Sequence, residues 1–149
     1  CGPSSERGFF QRYKAPIHNA PNIQYHGFIE PGGELFNALA SRCSYVVFHS
    51  AAEGCCTSVA TAMRAGIVPI INDWTGINIT NEGFVLSEDG DLIQNISDTV
   101  NIAGSVSKEH YDEMVCHTLG KASLFSQESF TESYTKAITT VIEKEKSLQ

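Results

Sequence analysis

Apolar residues in this chain come in short runs separated by stretches with helical spacing. Residues 23–28, Ile23-Gln24-Tyr25-His26-Gly27-Phe28, read as a strand that ends at a turn. Residues 33–40 read as a helix, with Phe36, Leu39, Ala40 and Cys43 spaced i, i+3, i+4, i+7. The run over residues 44–48, Ser44-Tyr45-Val46-Val47-Phe48, is that of a strand covered on both faces. Residues 58–65 predict a short helix, with Thr57 as N-cap and Gly66 as the stop. Residues 67–71 predict the next buried strand, and Pro69 places it at a strand start or in irregular pairing. Residues 83–86 predict a further short strand. Asp91 is expected to cap a helix carrying Leu92, Ile93, Ile96 and Val100 on one face. Beyond it the pattern is helical. Tyr111, Met114, Val115, Thr118, Leu119 and Ala122 form one stripe. Phe130, Tyr134, Ala137, Ile138, Val141 and Ile142 form another, expected to pack against the sheet or a partner domain, and the charged tail 143–149 is expected to fray.

Strands that alternate with helices over short links indicate an α/β fold with a parallel sheet. A chain of 149 residues has the length of one domain. The expectation is therefore a single Rossmann-like domain over residues 1–149, with helices on both faces of the sheet and C-terminal helices over about 107–147. In such sheets a ligand lies beyond the carboxyl ends of the strands, which directs attention to the loops after Phe28, Phe48, Ile71 and Leu86.

Composition narrows the function classes. Hydrophobic residues are 42% and charged residues 18%, enough apolar material for a core. The net charge of −7 argues against nucleic acid as a partner, which needs a basic stripe. No apolar run approaches the roughly 20 residues of a membrane span. The cysteines, Cys1, Cys43, Cys55, Cys56 and Cys116, are odd in number and form no CxxC pair. They point away from a disulfide scaffold or zinc ribbon and toward a reducing, cytoplasmic location. Asn78-Ile79-Thr80 and Asn95-Ile96-Ser97 then read as chance sequons. No signal peptide opens the chain, and the start at Cys1-Gly2-Pro3 reads as cut from something longer.

The most informative segment is the loop after Phe48: His49-Ser50-Ala51-Ala52-Glu53-Gly54-Cys55-Cys56-Thr57-Ser58, leading straight into a helix. A buried strand, a small-residue loop and a helix N-terminus present backbone amides to an anion. The Glu53 carboxylate at the crevice accepts hydrogen bonds from hydroxyl groups of a polar ligand. The alternative is that Glu53 caps the helix and Gly54 only permits a turn.

Three segments in order, Ser50-Ala51-Ala52-Glu53-Gly54, Ala62-Met63-Arg64-Ala65-Gly66 and Pro69-Ile70-Ile71, resemble the donor-binding segment of glycosyltransferase family 4, the "glycosyl transferases group 1" enzymes. Asn22 to Ile29, residues 38–48 and Asn81-Glu82-Gly83-Phe84-Val85-Leu86 resemble its flanking features, so that the likeness covers roughly residues 1–145. The resemblance implies the C-terminal half of a GT-B fold, two Rossmann-like domains facing across a cleft, with N-terminal strands and the acceptor domain lying outside this chain. It implies a retaining transfer of sugar from a UDP- or GDP-sugar to an acceptor, in polysaccharide or glycoconjugate synthesis, without a metal or other cofactor. Peripheral association of the full-length enzyme with a membrane is also implied. By the same resemblance Glu53 is the catalytic-site residue. Gly54, Cys55, Cys56, Thr57, Ser58 and Thr61 line the nucleotide sugar, and Phe28 and Ile29 flank the base. Cys1-Gly2-Pro3 corresponds to the end of the domain's second strand.

The departures matter as much. Thr61, eight residues after Glu53, stands where the family has a second glutamate on the ribose. His49 replaces the usual proline, Cys55 and Cys56 replace the usual loop residues, and the family's arginine and lysine for the diphosphate fall at positions before this chain's Cys1. The alternatives are a non-catalytic domain that keeps the fold, and a nucleotide-sugar epimerase. Elsewhere, Glu88-Asp89-Gly90-Asp91 reads as a turn with an N-cap rather than an acidic metal motif. His110, Glu113 and His117 share a helix face that reads as solvated. His26 and His49 lie at strand ends facing the crevice and read as structural residues, with ligand contact the alternative, and Cys55-Cys56 reads as packing rather than a redox pair.

Overall fold

A computed structural model describes residues 7–147. Residues that the sequence pattern groups into one domain fall into two compact units, 1–42 and 43–149.

In the first unit α1 (Arg7–Asn19) precedes α2 (Glu34–Ala40). The α1 helix was not foreseen, because Pro16 in its last turn masks the helical spacing of Phe10, Tyr13 and Ile17. Residues 23–28 are irregular, not the expected strand. The Tyr25 ring lies 5.1 Å from that of Phe10 and 6.1 Å from that of His18. The segment is thus held by aromatic contacts to α1, and among the described residues of this unit no strand offers it a ladder. The α2 helix forms as expected, with Phe36, Leu39 and Ala40 half-buried, whereas Cys43 is exposed. The calls on Cys1-Gly2-Pro3 lie outside the described residues.

The second unit is a mixed α/β arrangement around a three-stranded parallel sheet, β1 (Tyr45–Phe48), β2 (Val68–Ile71) and β3 (Phe84–Val85), in the order β1-β2-β3. Tyr45 pairs with Val68, Phe48 with Ile71 and Ile70 with Phe84. Between β1 and β2 runs α3 (Thr57–Arg64). After a 3-10 turn at Asp73–Thr75 and β3 come α4 (Leu92–Ser105), α5 (Lys108–Ala122), a second 3-10 turn at Ser123–Phe125 and α6 (Gln127–Ser147).

Alternation along the strands sends side chains into two clusters. Ile71 joins Val59, Met63 and Ala122, with Phe48 packed against them. Ile70 joins Leu86 and Ala103, with Tyr45, Phe84 and Ile96 alongside. The sheet therefore has α3 and the end of α5 on one face and α4 on the other. The Tyr45 hydroxyl donates to the Ala103 carbonyl at 2.7 Å and ties α4 to the first strand. Pro69 is the second residue of β2, among the strand's first residues as expected. A Cβ at Gly83 would lie 2.0 Å from the Pro69 carbonyl oxygen, so only glycine allows β3 to approach β2 here.

Three expectations are corrected. Val47 is 45% exposed, so β1 is not covered on both faces; it has no strand beyond it among the described residues. On α4 the inward pair is Ile96 and Ala103, while Ile93 is 80% exposed. The stripe of α6 does not pack against the sheet: Phe130, Tyr134, Ile138, Val141 and Ile142 are 43–67% exposed, and the helix runs through Ser147. By contrast Met114, Thr118 and Ala122 of α5 are buried as their spacing predicts.

Candidate functional site

The loop from His49 to Cys56 leaves the carboxyl end of β1 and enters α3. Its backbone is fastened to the turn after β2. Asn72 is 1% exposed, and its carboxamide pairs with both sides of the Ser50 peptide: Ser50 N donates to Oδ1 at 2.9 Å, and Nδ2 donates to Ser50 O at 2.8 Å. This continues the pairing of β1 with β2 by a side chain where the ladder stops. Further on, Glu53 N donates to Trp74 O at 2.8 Å and Cys56 N to Thr75 O at 2.9 Å. The approach is closed by Gly76 at φ +68°. A Cβ there would lie 2.3 Å from the Gly54 carbonyl oxygen, which excludes every residue with a side chain. Asn72 and Gly76 were not picked out in the sequence. The signal was an asparagine directly after a buried strand, with a glycine four residues on.

Within this frame the Glu53 carboxylate is exposed. It does not cap α3. The N-cap is Cys56, not the expected Thr57, and no side chain caps the helix. Cys56 takes the extended cap conformation and accepts the first helical bond, from Ala60 N at 3.0 Å, so Thr57 becomes the first helical residue. Burial pushes the Cys56 thiol up, and the charge of Glu53 and a hydrogen bond to it act in the same direction, against the backbone amides of Val59 and Ser58. Gly54 has no positive φ, and a Cβ added to it would meet nothing within 4 Å.

The expected site residues separate. Cys55, Thr57 and Thr61 line a groove of about 500 Å³ together with Arg64 and, from the C-terminal segment, Phe125 and Phe130. The Thr61 hydroxyl donates to the Thr57 carbonyl at 2.8 Å, a back-bond within the helix. Cys56 is buried, whereas Ser58 is exposed. Phe28 and Ile29 belong to the first unit, where Phe28 is exposed and Ile29 half-buried.

At the carboxyl edge of β3, Glu88 accepts from Asn72 Nδ2 at 2.6 Å and lies 3.5 Å from His49 Nε2. Asp91 caps α4 by accepting from Ile93 N and Gln94 N, as expected, so the acidic turn divides its roles. His110, Glu113 and His117 stand on an exposed face of α5. Among the described residues no three histidine, cysteine, aspartate or glutamate side chains converge to hold a metal ion. No helix among them is long and apolar enough to cross a membrane. The chain matches no protein-family model, and no curated protein matches it significantly.

Proposed function

We propose that this chain is a nucleotide-sugar-binding domain of a retaining glycosyltransferase of the group 1 type, with the Rossmann-like sheet of a GT-B half. The observation that carries the reading is Gly54. It lies in a loop fixed on both sides by Asn72, Trp74 O, Thr75 O and Gly76, yet neither its φ nor its surroundings demand glycine. A glycine the fold does not require, beside an exposed carboxylate and a helix N-terminus, fits a surface that a ligand approaches closely. Glu53 would accept from sugar hydroxyls, and the amides following Gly54 would face the phosphates, whose charge must be stabilised as the nucleoside diphosphate departs. The adjoining groove has the size of a small-ligand site and carries one guanidinium, Arg64, between hydroxyl groups and phenyl rings.

A second reading, a domain that binds weakly and has lost catalysis, is favoured by Thr61. Its hydroxyl is committed to Thr57 O and is a poor substitute for a carboxylate on a ribose. Calorimetric titration with UDP, GDP and inorganic phosphate tests the proposal. Saturable binding of a nucleoside diphosphate that phosphate does not displace supports it. Absence of binding by both nucleotides defeats it. Product analysis with UDP- and GDP-sugars then separates transfer from epimerisation and from binding alone.

A further inference from the structure

The carboxyl ends of β1, β2 and β3 bring together His49, Asn72 and Glu88; the reading above uses Asn72 only to fasten the loop and leaves His49 and Glu88 unused. Asn72 is buried and fully engaged: two of its bonds hold Ser50 and the third fixes the Glu88 carboxylate through Oε1. The same Oε1 faces His49 Nε2 at 3.5 Å. Glu88 Oε2 and His49 Nδ1 have no partner among the described residues. The two side chains remain 45% and 28% exposed, so the pair is open to a ligand.

His49 Nδ1 offers a hydroxyl group an acceptor or a donor according to where the ring carries its proton. The outward carboxylate oxygen is an acceptor. No lysine or arginine among the described residues forms an ion pair with Glu88. A carboxylate oxygen with no lysine or arginine beside it, next to an open ring nitrogen, disfavours phosphate and suits hydroxyl groups, which both donate and accept.

We propose that His49 and Glu88 form a subsite for two hydroxyl groups of a sugar, with Asn72 as the positioning residue that fixes the carboxylate. The inference rests on the donor-binding reading and adds an orientation to it: the sugar faces the strand ends, and the diphosphate lies away from Glu88. Asn72 acts only through Glu88 and the Ser50 peptide, so its replacement weakens sugar recognition without removing a ligand contact.

Calorimetry on the wild-type chain and the Glu88→Gln, His49→Ala and Asn72→Ala variants tests this. The probes are UDP, GDP, UDP-glucose, UDP-N-acetylglucosamine and GDP-mannose. Glu88→Gln keeps an oxygen for Asn72 and His49 and loses only the charge and the outward acceptor. The expected result is a loss of roughly tenfold in affinity for the preferred nucleotide sugar, with affinity for the matching nucleoside diphosphate unchanged. His49→Ala and Asn72→Ala shift the same ratio in the same direction. A ratio unchanged in Glu88→Gln and His49→Ala, or an equal loss for diphosphate and nucleotide sugar, overturns the subsite and leaves the donor-binding reading standing. Failure of every probe to bind the wild-type chain defeats that reading and the subsite with it.

Discussion

The Glu53 carboxylate stands exposed on a backbone that other groups hold in place, so Glu53→Ala removes little structure and, on the proposed reading, one ligand contact. A hydrogen bond to a charged group contributes about 1.5–3 kcal/mol, so nucleotide-sugar affinity or transfer should fall roughly tenfold to a hundredfold with the melting temperature nearly unchanged. A large fall in melting temperature with unchanged binding would return Glu53 to a structural role. Gly54→Ala separates the two kinds of constraint in the same way. Open space over its Cα predicts a stability change within about 0.5 kcal/mol by thermal unfolding. Nucleotide affinity should still drop, because the added methyl group occupies the approach to the loop. Cys55 and Cys56 are neighbours with opposite exposure. Burial and Glu53 hold the Cys56 thiol in its protonated form, so alkylation followed by mass spectrometry should label Cys55, Cys43 and Cys116 well before Cys56. Equal rates at Cys55 and Cys56 would contradict the buried cap.

At the scale of elements, the loop depends on the turn that follows β2. Gly76→Ala combines a left-handed φ with a collision against the Gly54 backbone, and should cost at least about 2 kcal/mol. Chemical denaturation reads that loss, and an unchanged midpoint would mean that the turn does not clamp the loop. The link between β3 and α5 responds to pH. Burial pushes the Glu82 carboxyl up, but the Thr80 amide, its own backbone amide, the Lys121 charge and the Thr80 hydroxyl outweigh it and leave the group below the usual carboxylate range. A depressed carboxyl stabilises the fold above its unfolded value, and that contribution is lost as pH falls through the folded value. Stability measured below about pH 4.5 should therefore fall less steeply in Glu82→Gln than in the wild type. Beside it, the Thr118 hydroxyl donates to the Glu82 carbonyl at 2.7 Å from a fully buried position, which keeps this end of α5 on the strand connection.

For the whole molecule, the parallel sheet built from β1, β2 and β3 and most helices were legible, because alternating apolar runs and helical stripes carry them directly. Besides α1, three features were not. The segment around Tyr25 has the composition of a strand but spends its aromatic ring on α1. The apolar stripe of α6 has core spacing yet lies exposed, because a stripe specifies a face and not what covers it. The frame of the site rests on Asn72 and Gly76, whose roles come from contacts across the turn and not from spacing along the chain. With a net charge of −7, long-range attraction does not gather a diphosphate, so on the proposed reading local amides and Arg64 would hold it. Amide chemical-shift mapping by NMR during titration with UDP and GDP tests this most directly. Saturable shifts are expected for one of them, concentrated in Gly54 to Ser58 and Thr61. Shifts confined to α1, α4 or the exposed face of α6, or no shifts with either nucleotide, would contradict it.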